Sequence, residues 1–106
     1  MQNNNSLMDE VIPIQFYLSQ NYPNPFKEKT SIKYCVAYKT RVQITVHNSK
    51  GEVIEKLVDE EKNPGTYEIE FTIVEKHRDS ALQNGNYSCR LTAEDYTSEK
   101  KMNLVK

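Results

Sequence analysis

Tryptophan is absent from this 106-residue chain, glycine occurs three times and proline four, and no apolar run exceeds a handful of residues. So few glycines and prolines exclude a low-complexity chain, and the lack of a long apolar run excludes a transmembrane helix. No charge of one sign dominates: 14 Lys and Arg face 15 Asp and Glu, a net charge of −1. A phosphate-binding surface needs a cationic excess, so nucleic acid is not an expected partner. The usual catalytic signatures are missing too. No glycine loop could cradle a phosphate, no Ser-His-Asp set is apparent, and neither an enzyme nor a cofactor is expected. The two histidines, His47 and His77, fall on a predicted solvent face and a loop, without Cys, Asp or Glu at ligand spacing. Asp59-Glu60-Glu61 and Glu94-Asp95 lack the ligand spacing and glycine turn of a calcium loop and read as solvated turns. Asn86-Tyr87-Ser88 fits a glycosylation pattern but sits inside a predicted strand.

What remains is the patterning of one domain, 37% hydrophobic and 27% charged. At this length folding buries roughly 65% of the unfolded surface, enough for a core without staples. Residues 1–12 are Asn-rich and aperiodic and read as a flexible lead; the domain occupies 13–106. Ile12, Ile14, Phe16 and Leu18 alternate with polar neighbours as a short strand, which Pro13 confines to an edge. That strand runs into Leu18-Ser19-Gln20-Asn21-Tyr22-Pro23-Asn24-Pro25-Phe26. Pro23 and Pro25 lack amide hydrogens and push Tyr22 and Asn24 out of the helical region, so this stretch is stiff and extended. It reads as a clasp that opens the domain, with the Tyr22 and Phe26 rings available for burial and Asn24 able to bond the backbone.

Beyond the clasp the period is two. Ile32, Tyr34 and Val36 share a face, then Val42, Ile44 and Val46. Asn48-Ser49-Lys50-Gly51 is a tight turn in which Gly51 supplies positive φ, and Val53 to Val58 is the returning strand. Asp59 to Lys62 reads as a charged loop, and Asn63-Pro64-Gly65-Thr66 as a type II turn. Tyr67, Ile69, Phe71 and Ile73 make another strand; residues 75–84 break the pattern, with Leu82 as the one large apolar anchor. Asn84-Gly85 is a turn signal before Tyr87, Cys89 and Leu91. Glu94-Asp95 turns the chain again into a last strand with Met102 and Leu104 on one face. About seven short strands spaced by turns predict an all-β, immunoglobulin-like antiparallel sandwich. A bridge between Cys35 and Cys89 would mimic the inter-sheet disulfide of antibody domains. Parity opposes it: Cys89 shares the inward face of Tyr87 and Leu91, whereas Cys35 shares the outward face of Lys33 and Ser31, and two separate thiols are expected.

The succession of the clasp, Thr30-Ser31-Ile32-Lys33-Tyr34, the run from Val42 to Glu60, Pro64-Gly65-Thr66-Tyr67, Gly85 to Leu91, and Lys100 to Lys106 resembles the C-terminal sorting domain (type A) of the type IX secretion system. That family is similar to the immunoglobulin-like domain of the flagellar hook-capping protein. The likeness runs from about Phe16 to Lys106 and departs from the family pattern at Lys27-Glu28 and in a longer loop around Glu75 to Asp79. It implies the tail of a larger exported protein, secreted or at the cell surface. The partners it implies are outer-membrane secretion machinery and an upstream cargo domain, and the domain itself is expected to be a monomer. An export leader is not visible in Met1 to Ser6; the expectation is that one lies upstream. Matching structural positions are Asn21, Tyr22, Pro23, Asn24, Pro25, Phe26, Gly51, Pro64, Gly65, Gly85 and Tyr87, while Lys100, Lys101, Met102, Leu104, Val105 and Lys106 are recognition candidates. If the last strand is what the machinery reads, it is expected to lie at a sheet edge or to be readily exposed, where backbone groups are free for a partner. A structural interaction module, hook-cap-like or accessory to a secreted hydrolase, is the alternative.

Overall fold

Seven strands form along the alternating segments in a computed structural model, which describes residues 15–73 and 84–105. They are β1 (Tyr17–Leu18), β2 (Lys29–Val36), β3 (Thr40–His47), β4 (Val53–Lys62), β5 (Gly65–Thr72), β6 (Gly85–Ala93) and β7 (Tyr96–Leu104). The pairings between these seven strands are antiparallel. One sheet has the order β1-β2-β5 and the other β4-β3-β6-β7, packed together as an immunoglobulin-like sandwich. The inward side chains are those the period of two selects: Ile32, Tyr34 and Val36 from β2, Val42, Ile44 and Val46 from β3, Tyr87, Cys89 and Leu91 from β6, Met102 and Leu104 from β7. Residues 1–14, with the expected lead and the start of its strand, lie outside the described residues, as do His77, Leu82 and Lys106.

β4 departs most from expectation. The expected charged loop Asp59 to Lys62 is strand, paired with Gln43 to Thr40. Cross-strand charge makes this possible: Arg41 Nη2 lies 2.8 Å from Asp59 Oδ1 and Lys39 Nζ 4.0 Å from Glu61 Oε1. Two register shifts, between Ile44 and Thr45 and between Val46 and His47, reconcile β4 with the apolar doublets Val53-Ile54 and Leu57-Val58, which strict alternation could not accommodate. Val58 is thereby turned into the core and Val53 left 57% exposed.

The turns follow their residues only in part. Gly51 has φ +87, its amide donates to the Asn48 carbonyl at 3.0 Å, and Asn48 Oδ1 accepts from the Lys50 and Glu52 amides. His47, expected on a solvent face, is only 6% exposed because this turn covers it. Its Nδ1 sits 3.3 Å from the Gly51 carbonyl and its Nε2 2.8 Å from Thr45 Oγ1. The expected type II turn at Asn63 to Thr66 does not form. Gly65 has φ +156, far from the +80° such a turn needs, and it opens β5 as the chain crosses from one sheet to the other. Gly85 likewise is already the first residue of β6.

That crossing seals one seam of the sandwich. Lys62 on β4 sits 4.9 Å from the centroid of the Tyr67 ring on β5, Tyr67 stacks on Tyr34 at 5.2 Å, and its hydroxyl donates to the Asn63 carbonyl at 2.6 Å. Burial raises the Tyr34 phenol above its ordinary pKa, an effect Lys62 partly offsets. Both thiols are free: Cys35 faces outward near Thr66 Oγ1, at 3.7 Å, while burial pushes Cys89 up to about 12. The separation expected from parity is observed.

Two measurements check this account. Ile44→Ala should destabilise the domain by about 2–5 kcal/mol in urea unfolding, whereas Val53→Ala should change it by less than about 0.5 kcal/mol. Asp59 accepts from Gln43 Nε2, Lys56 Nζ and Arg41 Nε, and these bonds hold its carboxyl below the ordinary 3.8. A folded pKa below the unfolded one stabilises above the unfolded value and is lost as pH falls through the folded value. The melting-temperature gap between wild type and Asp59→Asn should be constant above about pH 5 and close progressively in acid below about pH 4.

Candidate functional site

The clasp and the free side of β7 come together, although about 80 residues separate them in the chain. Its first half extends the pairing of β1 with β2. The Ser19 amide donates to the Lys33 carbonyl, and Tyr22 and Ser31 exchange amide-to-carbonyl bonds of 2.8 and 2.9 Å. Pro23, Asn24 and Pro25, with both X-Pro bonds cis, then carry the chain across to the other sheet. There Phe26 forms a parallel bridge with Leu104: the Phe26 amide donates to the Asn103 carbonyl at 2.9 Å and the Val105 amide to the Phe26 carbonyl at 2.8 Å. The Asn103 amide is met by a side chain rather than by a backbone carbonyl: Asn24 Oδ1 accepts from it at 2.9 Å. Asn24 thus stands in for a strand carbonyl.

The two aromatic rings differ in fate. Phe26 is 1% exposed and meets Phe71 edge-on, with ring centroids 6.0 Å apart. Tyr22, whose burial the bracketing pattern suggested, is 81% exposed, because its backbone pairs with Ser31 and that pairing turns its ring to solvent.

Beneath the clasp a polar chain joins the sheets. Thr30 Oγ1 donates to the Pro23 carbonyl at 2.8 Å, and Asn21 Nδ2 donates to Thr30 Oγ1 at 2.9 Å and to the Pro23 carbonyl at 3.1 Å. Gln20 Nε2 donates to Asn21 Oδ1 at 2.8 Å and to the Lys101 carbonyl at 2.6 Å. Asn21 and Thr30 are buried, where an unpaired polar group would be costly. Sequence reasoning missed Thr30 and Gln20. Thr30 carries a readable signal, because it has the inward parity of Ile32 and Tyr34 and a polar side chain there demands a partner.

β7 is the edge strand of its sheet, as expected. Met102 and Leu104 are fully buried, Lys100 is half-buried, and Lys101 and Val105 are exposed. Gly85 and Tyr87 lie opposite Leu104 and Met102 on β6. Gly51, Pro64 and Gly65 are elsewhere, in the β3–β4 turn and the β4–β5 crossing. Among the described residues no three His, Cys, Asp or Glu side chains converge as metal ligands would, and no helix is long and apolar enough to cross a membrane.

The two asparagines should separate in a stability measurement. Asn21→Ala leaves buried partners unsatisfied and should cost about 1–3 kcal/mol, whereas Asn24→Ala exposes the Asn103 amide to water and should cost about 0.5–1.5 kcal/mol. Urea unfolding of the two variants checks the order.

Both halves of this arrangement fall within the region over which the chain matches a family model, residues 20–105, described as a secretion system C-terminal sorting domain. A comparison with curated proteins gave no match. The match covers the clasp, both sheets and the edge strand, and on that extent the chain belongs to the family of type IX secretion C-terminal sorting domains, which mark a parent polypeptide for export.

Proposed function

We propose that this domain is a non-catalytic sorting tail that carries an attached cargo through the type IX machinery to the cell surface or the medium, and that the machinery reads the edge of β7. The family match supports the sorting role, and the observation that carries the choice of site is the edge position of β7. An edge strand presents unpaired amides and carbonyls to a partner, which the central strands β3 and β6 cannot do. Met102 and Leu104 serve this site from inside by holding β7 on the core, while Lys101, Val105 and the half-buried Lys100 are the side chains within a partner's reach.

The burial also decides how the site should be tested. Deleting Met102 to Lys106 removes two core side chains and the clasp's anchor, so loss of export would not separate signal from fold. The double substitution Lys100→Gln and Lys101→Gln changes charge alone. The 106-residue chain, fused behind a signal peptide and a fluorescent reporter in a host with this secretion system, should deliver the reporter to the surface or medium. The double variant should melt within about 0.5 kcal/mol of wild type yet export less. Periplasmic retention of the wild-type fusion would overturn the sorting role and favour a structural module.

A further inference from the structure

The outward parity of β7 is set by the groups the clasp engages: the Lys101 carbonyl, the Asn103 amide and carbonyl, and the Val105 amide. In an antiparallel strand the same side recurs at every second residue, so the backbone groups of Thr97 and Glu99 and the Lys101 amide point to this edge as well. None of these has a hydrogen-bond partner among the described residues. β1 packs against β7 from the other sheet but pairs only with β2. The edge is therefore half covered and half open.

The cover is an imperfect strand. It holds β7 by four hydrogen bonds, two from the Phe26 backbone and two from the Asn24 and Gln20 side chains. Its prolines cannot donate, so it cannot extend the ladder toward Thr97. What sits on the edge shows the chemistry that fits there: an acceptor for the Asn103 amide, supplied by the Asn24 side chain, and a donor for its carbonyl and an acceptor for the Val105 amide, both supplied by the Phe26 backbone, a set that an extended backbone also offers.

We infer that the clasp is a displaceable cover of the β7 edge, and that the partner reading this edge is an extended polypeptide segment that takes the place of Asn24 to Phe26 and continues along Lys101 to Thr97 as an added strand. This rests on the sorting role proposed above and adds its control. Lifting the clasp breaks its four bonds and frees the buried Phe26 ring, so the cover stays closed until a partner supplies more bonds than it removes. An added strand does so at Thr97, Glu99 and Lys101, and it meets the exposed Lys101 side chain best with an acidic residue. The closed clasp otherwise guards the edge against pairing with other chains.

Two experiments test the cover. In a Cys35→Ser background, Asn24→Cys with Asn103→Cys puts one thiol on the clasp and one on the β7 residue whose amide Asn24 meets, and a disulfide between them, its formation being read by mass, would fasten the clasp to β7. The oxidised form should melt no lower than wild type, and the reporter fusion carrying it should reach the surface about tenfold less than either single-cysteine variant. Equal export of the fastened domain would overturn the inference while leaving the sorting role intact; failure of the wild-type fusion would overturn the sorting role instead. Independently of export, Asn24→Ala in the 106-residue chain should speed amide exchange at Asn103 by about tenfold or more and leave Ile44 and Leu91 unchanged. Unchanged exchange at Asn103 would show that the clasp does not cover this edge, and the inference would fail.

Discussion

The clasp is bonded to both sheets at once, and the closure of the sandwich on this side depends on that double attachment. Tyr22 pairs with Ser31 on β2 and Phe26 with Leu104 on β7, with only Pro23, Asn24 and Pro25 between them. The sequence suggested a stiff, extended course, but Pro23, Asn24 and Pro25 form a bend that takes the chain from one sheet to the other within three residues. The buried Phe26 ring fills the space between the sheets, while the Thr30-Asn21-Gln20 chain satisfies the polar groups that the crossing would otherwise strand. Apolar burial and polar pairing act on the same few residues, so neither alone would hold the chain here.

The opposite seam is closed by different means. β4 and β5 are consecutive, and their junction needs only the Asn63-Pro64 crossing, with Lys62 over Tyr67 and Tyr67 on Tyr34. Local chain connection supplies there what the clasp must supply by long-range bonds. The two seams should therefore differ in how readily they open. One is tied covalently and by stacked rings, the other by four hydrogen bonds and one phenylalanine.

How much of this could be read beforehand depends on the range of the forces involved. The alternations of β2, β3 and β6 were legible because one face of each is buried along most of its length, and that of β7 through Met102 and Leu104 at its end, since burial writes itself into a period of two. β4 was legible only to Val58. Its Asp59 to Lys62 end is strand because Arg41, Gln43 and Lys39 stand opposite, and partners on another strand leave no mark in the local run. His47 was misplaced because the turn that covers it folds back from four residues on. The clasp was recognised as an element from its prolines, and as part of a family from the motifs around it. Its target was not legible, since Asn24 acts on Asn103 through a side chain playing the part of a backbone carbonyl. Nothing in either local sequence states that pairing.

If the edge of β7 is what a partner reads, as proposed above, the strand serves two demands, and its geometry keeps them apart. Its inward side chains, Met102 and Leu104, belong to the core, so their identity is constrained by packing against neighbours such as those from β6 and the clasp. Its outward backbone is the same whatever side chains it carries, apart from proline. A partner that adds a strand to this edge reads main-chain groups, and selectivity then falls to the few exposed side chains beside it, Lys101 foremost. Recognition of this kind tolerates sequence variation, which suits a tail that must be read regardless of the protein it is attached to. It also carries a hazard, because an edge open to one partner is open to any extended chain. A cover with too few donors to form a full ladder, yet with a buried ring that resists casual displacement, answers both sides of that problem.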